Sequence, residues 1–92
     1  MKSVYSVIEL ASITGLGQVN VRKLLSQARV TYAGDSPIKM LSTKENWESL
    51  LMAIRVRMQT CPKHYYPKYC EAYNATHAYY LSIAEEVYSL NE

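Results

Sequence analysis

A cluster of amide and cationic side chains lies near the start of the chain. Residues 18–26 read QVNVRKLLS and include Gln18, Asn20, Arg22 and Lys23. The carboxamide of Gln18 can form two hydrogen bonds with an adenine edge, and the guanidinium of Arg22 can bind a guanine or a phosphate. The ammonium of Lys23 suits phosphate contact, which fixes register without reading sequence. This combination suits contact with nucleic acid, and the alternative is an exposed amphipathic helix of an ordinary helical domain whose charges are solvated.

The apolar residues of the same segment predict a helix over residues 18–28 with one inward face. Four of them recur at helical spacing, and they are Val21, Leu24, Leu25 and Ala28. Val19 is an apolar residue on the opposite, polar face, and contact with a thymine methyl group would explain it. Asn20, at the edge of that face, could contact a base or a phosphate. With two cations from the segment that follows, the predicted DNA-binding residues are Gln18, Val19, Asn20, Arg22, Lys23, Ser26, Arg29 and Lys39.

A first helix and a tight turn must position this segment. Ser6 and Glu9 have the spacing of a capping box, which predicts a helix over residues 7–14. Gly15 then suits a turn that needs a positive φ angle. Leu16 is expected to plug the turn between the two helices.

Two further elements are predicted before residue 60. Alternating residues on either side of Gly34-Asp35-Ser36-Pro37 predict a short β-hairpin within residues 29–41. Ser42 and Glu45 form a second capping-box pattern, which predicts a third helix ending near Thr60. One face of that helix carries the apolar residues Trp47, Leu50, Leu51, Ile54 and Met58. Arg55 and Arg57 lie off this stripe and either extend the basic surface or are merely solvated.

The run Gly15-Leu16-Gly17-Gln18, followed by Val21, resembles the helix-turn-helix of the lambda-repressor and Cro class. That class places a full helix before the motif, whereas only MKSVYS precedes it here. The order of helix, turn, helix, hairpin and helix is more similar to the excisionase and MerR-type winged helices, over residues 5 to about 55. This resemblance implies binding of duplex DNA by the second helix in the major groove. It also implies transcription regulation, or an excisionase-like architectural task in a phage or mobile element.

The last third of the chain is rich in tyrosine. Seven of the nine tyrosines lie between residues 65 and 88, and Pro62 and Pro67 bracket a break before a final helix over about 68–90. Residues at spacings of three and four form a seam typical of helix pairing. The predicted homodimer interface consists of Cys70, Tyr73, His77, Tyr80, Leu81, Ala84, Val87 and Tyr88. The alternatives are that this helix folds back on its own core, or that it binds another protein as part of an adaptor that contacts no DNA.

The predicted fold class is therefore mainly α with a small β-hairpin. A winged helix-turn-helix domain spans residues 1–60, and a tyrosine-rich C-terminal helix spans residues 61–92 within the same compact unit. The first 60 residues hold eight Lys or Arg against four Asp or Glu, a balance of +4, and residues 61–92 hold two against four, a balance of −2. The basic part thus coincides with the helix-turn-helix.

Other chemistries find little support in the sequence. Cys61, His64, Cys70 and His77 are zinc ligands by type, but their spacing fits no zinc pattern, and two cysteines in such a chain are expected to be thiols. No nucleophile stands beside an identifiable base, and no glycine-rich phosphate loop is present. We expect no enzyme activity, cofactor or small-molecule substrate. Without a leader or a long apolar run, a cytoplasmic location with no membrane contact is expected.

Overall fold

The computed structural model describes residues 3–32 and 39–88, and for residues 85–88 it describes the backbone alone. Four helices and two short strands account for most of this length. In chain order they are β1 (Val4–Ser6), α1 (Val7–Thr14), α2 (Gln18–Ala28), β2 (Lys39–Leu41), α3 (Lys44–Thr60), a single 3₁₀ turn (Lys63–Tyr65) and α4 (Tyr66–Tyr88). The fold is mainly helical with a small antiparallel sheet and a long C-terminal helix, as the sequence predicts.

Local chemistry sets the bounds of α1, and both bounds match the prediction. The backbone N–H of Glu9 donates to the Ser6 hydroxyl at 3.2 Å, and the Ser6 N–H donates to the Glu9 carboxylate at 3.0 Å, which completes the capping box. Gly15 ends the helix with φ of 74°, a conformation that glycine adopts without strain. Leu16 is buried in the turn, as expected.

The sheet contains a strand pairing that the predicted hairpin did not include. Strand β2 pairs in antiparallel fashion with β1, which the sequence did not reveal, with Tyr5 opposite Met40. On its other side β2 meets the chain at residues 31–32 through an isolated bridge between Tyr32 and Met40. The predicted turn at Gly34-Asp35-Ser36-Pro37 lies outside the described residues.

The start of α3 corrects one prediction. The N-cap is Thr43, whose hydroxyl accepts from the Asn46 N–H at 3.1 Å, so the expected capping box of Ser42 and Glu45 is wrong. Ser42 instead accepts a hydrogen bond from the indole Nε1 of Trp47 at 3.1 Å. Because the N-cap lies one residue later than predicted, the Ser42 hydroxyl is available to accept the hydrogen bond of a buried tryptophan.

Asn46 joins the two chain segments that flank β2. Its Oδ1 accepts from the Thr31 N–H at 3.0 Å, and its Nδ2 donates to the carbonyl oxygens of Thr31, at 3.3 Å, and Leu41, at 2.9 Å. The side chain is buried, so these three hydrogen bonds satisfy backbone groups that would otherwise lose water without replacement. Asn46 therefore fixes the base of the segment in which the hairpin was predicted.

Trp47 lies at the centre of the core. Its ring is fully buried and contacts Tyr5 of β1, with ring centroids 5.2 Å apart, and Tyr79 of α4, at 5.7 Å. The apolar stripes of α1, α2 and α3 meet around it, and they include Leu10, Val21, Leu24, Leu25, Leu50 and Ile54. The C-terminal helix thus packs on the same core as α1 and α2.

The final helix begins earlier than predicted. It starts at Tyr66 rather than near Lys68, because Pro67 lies in the first helical turn, where its missing N–H costs no hydrogen bond. Its most buried line runs through Tyr69, Ala72 and Thr76, one residue before the predicted seam. The hydroxyl of Thr76 donates to the Ala72 carbonyl at 2.7 Å, which makes a polar residue acceptable at this buried position.

Candidate nucleic-acid interface

Helix α2 presents its predicted outward face to solvent. Val21, Leu24 and Leu25 are buried, as predicted. The opposite face is exposed, and its exposed residues are Gln18, Val19, Arg22, Lys23 and Ser26. Val19 is 66% exposed although it is apolar, so it contributes nothing to the core of this chain. A convex helix with two cations, an amide and an uncovered apolar side chain can interact with both phosphates and base edges.

Both ends of α2 have features that bear on binding. At the start, Gly17 makes no side-chain cap, so the first N–H groups of α2 receive no side-chain partner from it. At the end, Arg29 adopts the left-handed conformation, with a positive φ of 54° although it is not a glycine. Such a conformation costs about 1–2 kcal/mol for a residue with a side chain. The guanidinium of Arg29 is exposed at this bend.

The other predicted DNA-binding residues occupy less open positions. Asn20 is half-buried, on the side of α2 that faces α3 and the start of α4. Lys39 is half-buried in β2. The tip of the predicted hairpin, with Asp35, lies outside the described residues.

A groove of about 580 Å³ adjoins α2 where α3 ends and α4 begins. Asn20 forms its α2 side, Arg57 and Thr60 its α3 side, and Tyr65 and Lys68 its third side. The Nε of Arg57 donates to the side-chain oxygen of Gln27 on α2 at 3.3 Å. The sequence placed Arg57 off the apolar stripe, but it gave no signal that Lys68, eleven residues later, lies beside the same groove.

The predicted seam on α4 borders a second groove, about 380 Å³ in volume, between α3 and α4. Tyr73, His77 and Tyr80 line it from α4, and Met52, 58% exposed, lines it from α3. Of the other predicted interface residues, Cys70 and Ala84 are half-buried and Leu81 is exposed. The side chains of Val87 and Tyr88 are outside the described part.

The cysteine and histidine residues are not gathered together. Within the described residues, no group of three or more His, Cys, Asp or Glu side chains is placed to hold a metal ion. Cys61 and Cys70 are free thiols. A side-chain hydrogen bond with Cys70 raises the pKa of the Tyr66 hydroxyl above its usual value, and electrostatic interaction with Cys70, desolvation and electrostatic interaction with Cys61 add to this effect.

Comparison of the chain with family models, with curated proteins and with solved structures gives no significant match. Among the described helices, none combines the length and the apolar character needed to cross a bilayer.

Proposed function

We propose that this protein binds duplex DNA in a sequence-specific manner, with α2 lying in the major groove. The observation that carries the proposal is the outward face of α2, which is exposed, cationic and rich in hydrogen-bond donors, while Val21, Leu24 and Leu25 on the opposite face are buried and Ala28 is half-buried. Gly15 ends α1 and Leu16 is buried in the turn before α2, which supports the resemblance to a DNA-binding helix-turn-helix. The Tyr-rich helix α4 packs on the core and leaves this face of α2 exposed.

The side chains divide into two roles under this proposal. Gln18 and Val19, at the N-terminal end of α2, read base edges, since the first residues of a recognition helix reach deepest into the groove. Arg22, Lys23, Ser26 and Arg29 neutralise or hydrogen-bond phosphates and fix the register. The biological role that fits is a small regulator of transcription, or an architectural factor in recombination of a phage or mobile element.

A binding selection tests the proposal directly. The full chain is incubated with a random-sequence duplex library, and the enriched duplex is then titrated by fluorescence anisotropy at several salt concentrations. We expect one enriched motif and an affinity that falls steeply with salt, because bound phosphates release counterions. Failure to enrich any motif, together with no binding to any duplex at low salt, would overturn the proposal.

The α3–α4 groove supports a second candidate function, the binding of a protein partner. Met52 exposes apolar surface in the groove that Tyr73 and Tyr80 also line, which suits an apolar helix. A second copy of this chain is the partner that DNA binding favours, because a dimer can contact two half-sites roughly 34 Å apart. Sedimentation equilibrium measures the mass in solution, and a monomer at high micromolar concentration would contradict pairing. If the chain pairs or binds a partner protein but binds no duplex, the adaptor function replaces DNA binding.

A further inference from the structure

We propose that the groove between α2, the end of α3 and the start of α4 binds a phosphate of the DNA strand that borders the major groove. This inference rests on the proposed function and extends its contact surface beyond α2. The sequence resemblance ends near residue 55, so Lys68 on α4 and the last turn of α3 belong to a part of the chain that it does not cover. The structure alone brings these residues beside α2.

The charge of the groove fits an anion. Arg57 and Lys68 enter it from two different helices, and none of the residues that line it carries a carboxylate. Within the described residues, no carboxylate forms an ion pair with either cation. Two like charges that line one concave surface repel each other, and a bound anion offsets this repulsion. A phosphodiester is the anion that α2 would bring to this position.

The geometry of Arg57 also fits phosphate. Its Nε is held by the Gln27 side chain at 3.3 Å, so the bond to α2 uses one of the five N–H donors of the guanidinium. The terminal nitrogens keep donors for a bidentate contact with phosphate oxygens. Thr60 and Tyr65 line the same groove and add hydroxyl groups that can donate to a third oxygen.

The sequence leaves open whether Asn20 contacts a base or a phosphate, and its position in the groove favours the phosphate. Asn20 is half-buried and lines the groove together with Arg57 and Lys68, whereas Gln18 and Val19 are exposed. Its carboxamide therefore lies with the phosphate-binding cations rather than with the base-reading residues. We assign Asn20 to the DNA backbone.

Charge-neutral variants test the groove against matched controls. Arg57→Gln and Lys68→Gln remove the groove cations, and Arg55→Gln and Lys44→Gln remove exposed cations of α3 that do not line it. The dissociation constant of each full-length variant is measured on the selected duplex across a range of salt concentrations. Combining Arg57→Gln with Lys68→Gln should lower the slope of log Kd against log salt by about 0.9, because the single phosphate contact is lost. Combining the two control substitutions should lower it by less than half as much.

Two further variants separate the groove from folding and from base reading. Arg57→Lys keeps the charge and should keep most of the salt slope, so a loss in Arg57→Gln that Arg57→Lys does not share reports on charge and not on packing. Asn20→Ala should weaken binding to all duplexes by the same factor, whereas Gln18→Ala should change the preference at one base pair. Thermal unfolding by circular dichroism confirms that each variant is folded.

The outcomes distinguish this inference from the function on which it rests. If the parent chain binds duplex DNA with a steep salt dependence but the groove variants behave like the controls, the groove inference is wrong and the function stands. A change of base preference in Asn20→Ala would likewise overturn its assignment to the backbone. If the parent chain binds no duplex, both proposals fail together.

Discussion

The hydroxyl groups of Tyr5 and Tyr79 lie 2.7 Å apart, which joins the first strand of the chain to its last helix. Their rings meet edge to face with centroids 5.8 Å apart, and both pack against Trp47. Helix α4 is therefore part of the core that holds α1 and α2. Substitutions on the inner face of α4 should therefore lower the free energy of unfolding of the whole molecule.

A double-mutant cycle tests this link. Tyr79→Phe and Tyr5→Phe each remove one hydroxyl, and each should lower the free energy of unfolding by about 1 kcal/mol. The double variant should lose less than the sum, with a coupling energy of about 0.5–1.5 kcal/mol, because either single change already breaks the bond. Urea unfolding followed by circular dichroism measures all four proteins. Additive losses would show that the two hydroxyls do not interact.

The elements predicted best from sequence are those whose ends are set by neighbouring residues. The capping box of Ser6 and Glu9, the left-handed Gly15 and the apolar spacing of α2 all act within a few residues, so the bounds of α1 and α2 could be predicted correctly. The outward face of α2 followed from the same periodicity.

What the sequence could not predict depends on contacts between distant residues. Strand β1 has three residues and pairs with β2 across both helices, so no local pattern marks it. Thr43 rather than Ser42 caps α3 because Ser42 bonds to the buried indole of Trp47. The buried line of α4 includes Thr76, whose polar side chain is satisfied within its own helix and so gives no apolar signal.

The same substitution at two glycines should have opposite effects. Gly15 has φ of 74°, whereas Gly17 is extended and caps α2 without a side-chain hydrogen bond. A Cβ atom would meet nothing within 4 Å at either position, so backbone conformation decides the outcome. Gly15→Ser should cost about 1–2 kcal/mol through the left-handed conformation. Gly17→Ser should gain about 0.3 kcal/mol as an N-cap. Equal losses in thermal or urea unfolding would contradict this account.

Replacing Arg29 with glycine should make the protein more stable and its binding to duplex DNA weaker. Its left-handed backbone is strained, and glycine relieves that strain at the expense of greater freedom in the unfolded chain, so Arg29→Gly should raise the free energy of unfolding by about 0.5–1 kcal/mol. The same change removes a phosphate-binding cation, which should lower the salt slope of duplex binding by about 1. Arg29→Gln is the control, since it removes the charge and keeps the strain. A less stable Arg29→Gly would refute the strain argument.

Tyr80 should make the protein sensitive to alkaline pH. Partial burial raises the pKa of its hydroxyl above 10.0, and the charge of Glu48 adds to the shift while Lys44 opposes it. The native state then holds the proton more tightly than the unfolded chain does. The contribution is fully present below about pH 10 and is lost as the pH rises through the higher native pKa. Tyr80→Phe should flatten the decline in stability above about pH 10, and Glu48→Gln should move its midpoint to lower pH. An unchanged pH profile of urea unfolding in both variants would count against this role.

Variants on the outward face of α2 should separate phosphate contacts from base contacts. Arg22→Ala combined with Lys23→Ala should weaken binding to every duplex and lower the salt slope by about 2, because both cations are exposed and neutralise phosphates. Gln18→Ala should leave the slope unchanged and relax the preference at one base pair by about 1–3 kcal/mol. Binding of the selected duplex and of single-base variants, measured by anisotropy at fixed salt, separates the two effects. Ser26→Ala removes a phosphate hydrogen bond but no charge, so it should weaken binding slightly and leave the salt slope unchanged. Unaltered affinity in the double variant would mean that α2 does not contact DNA.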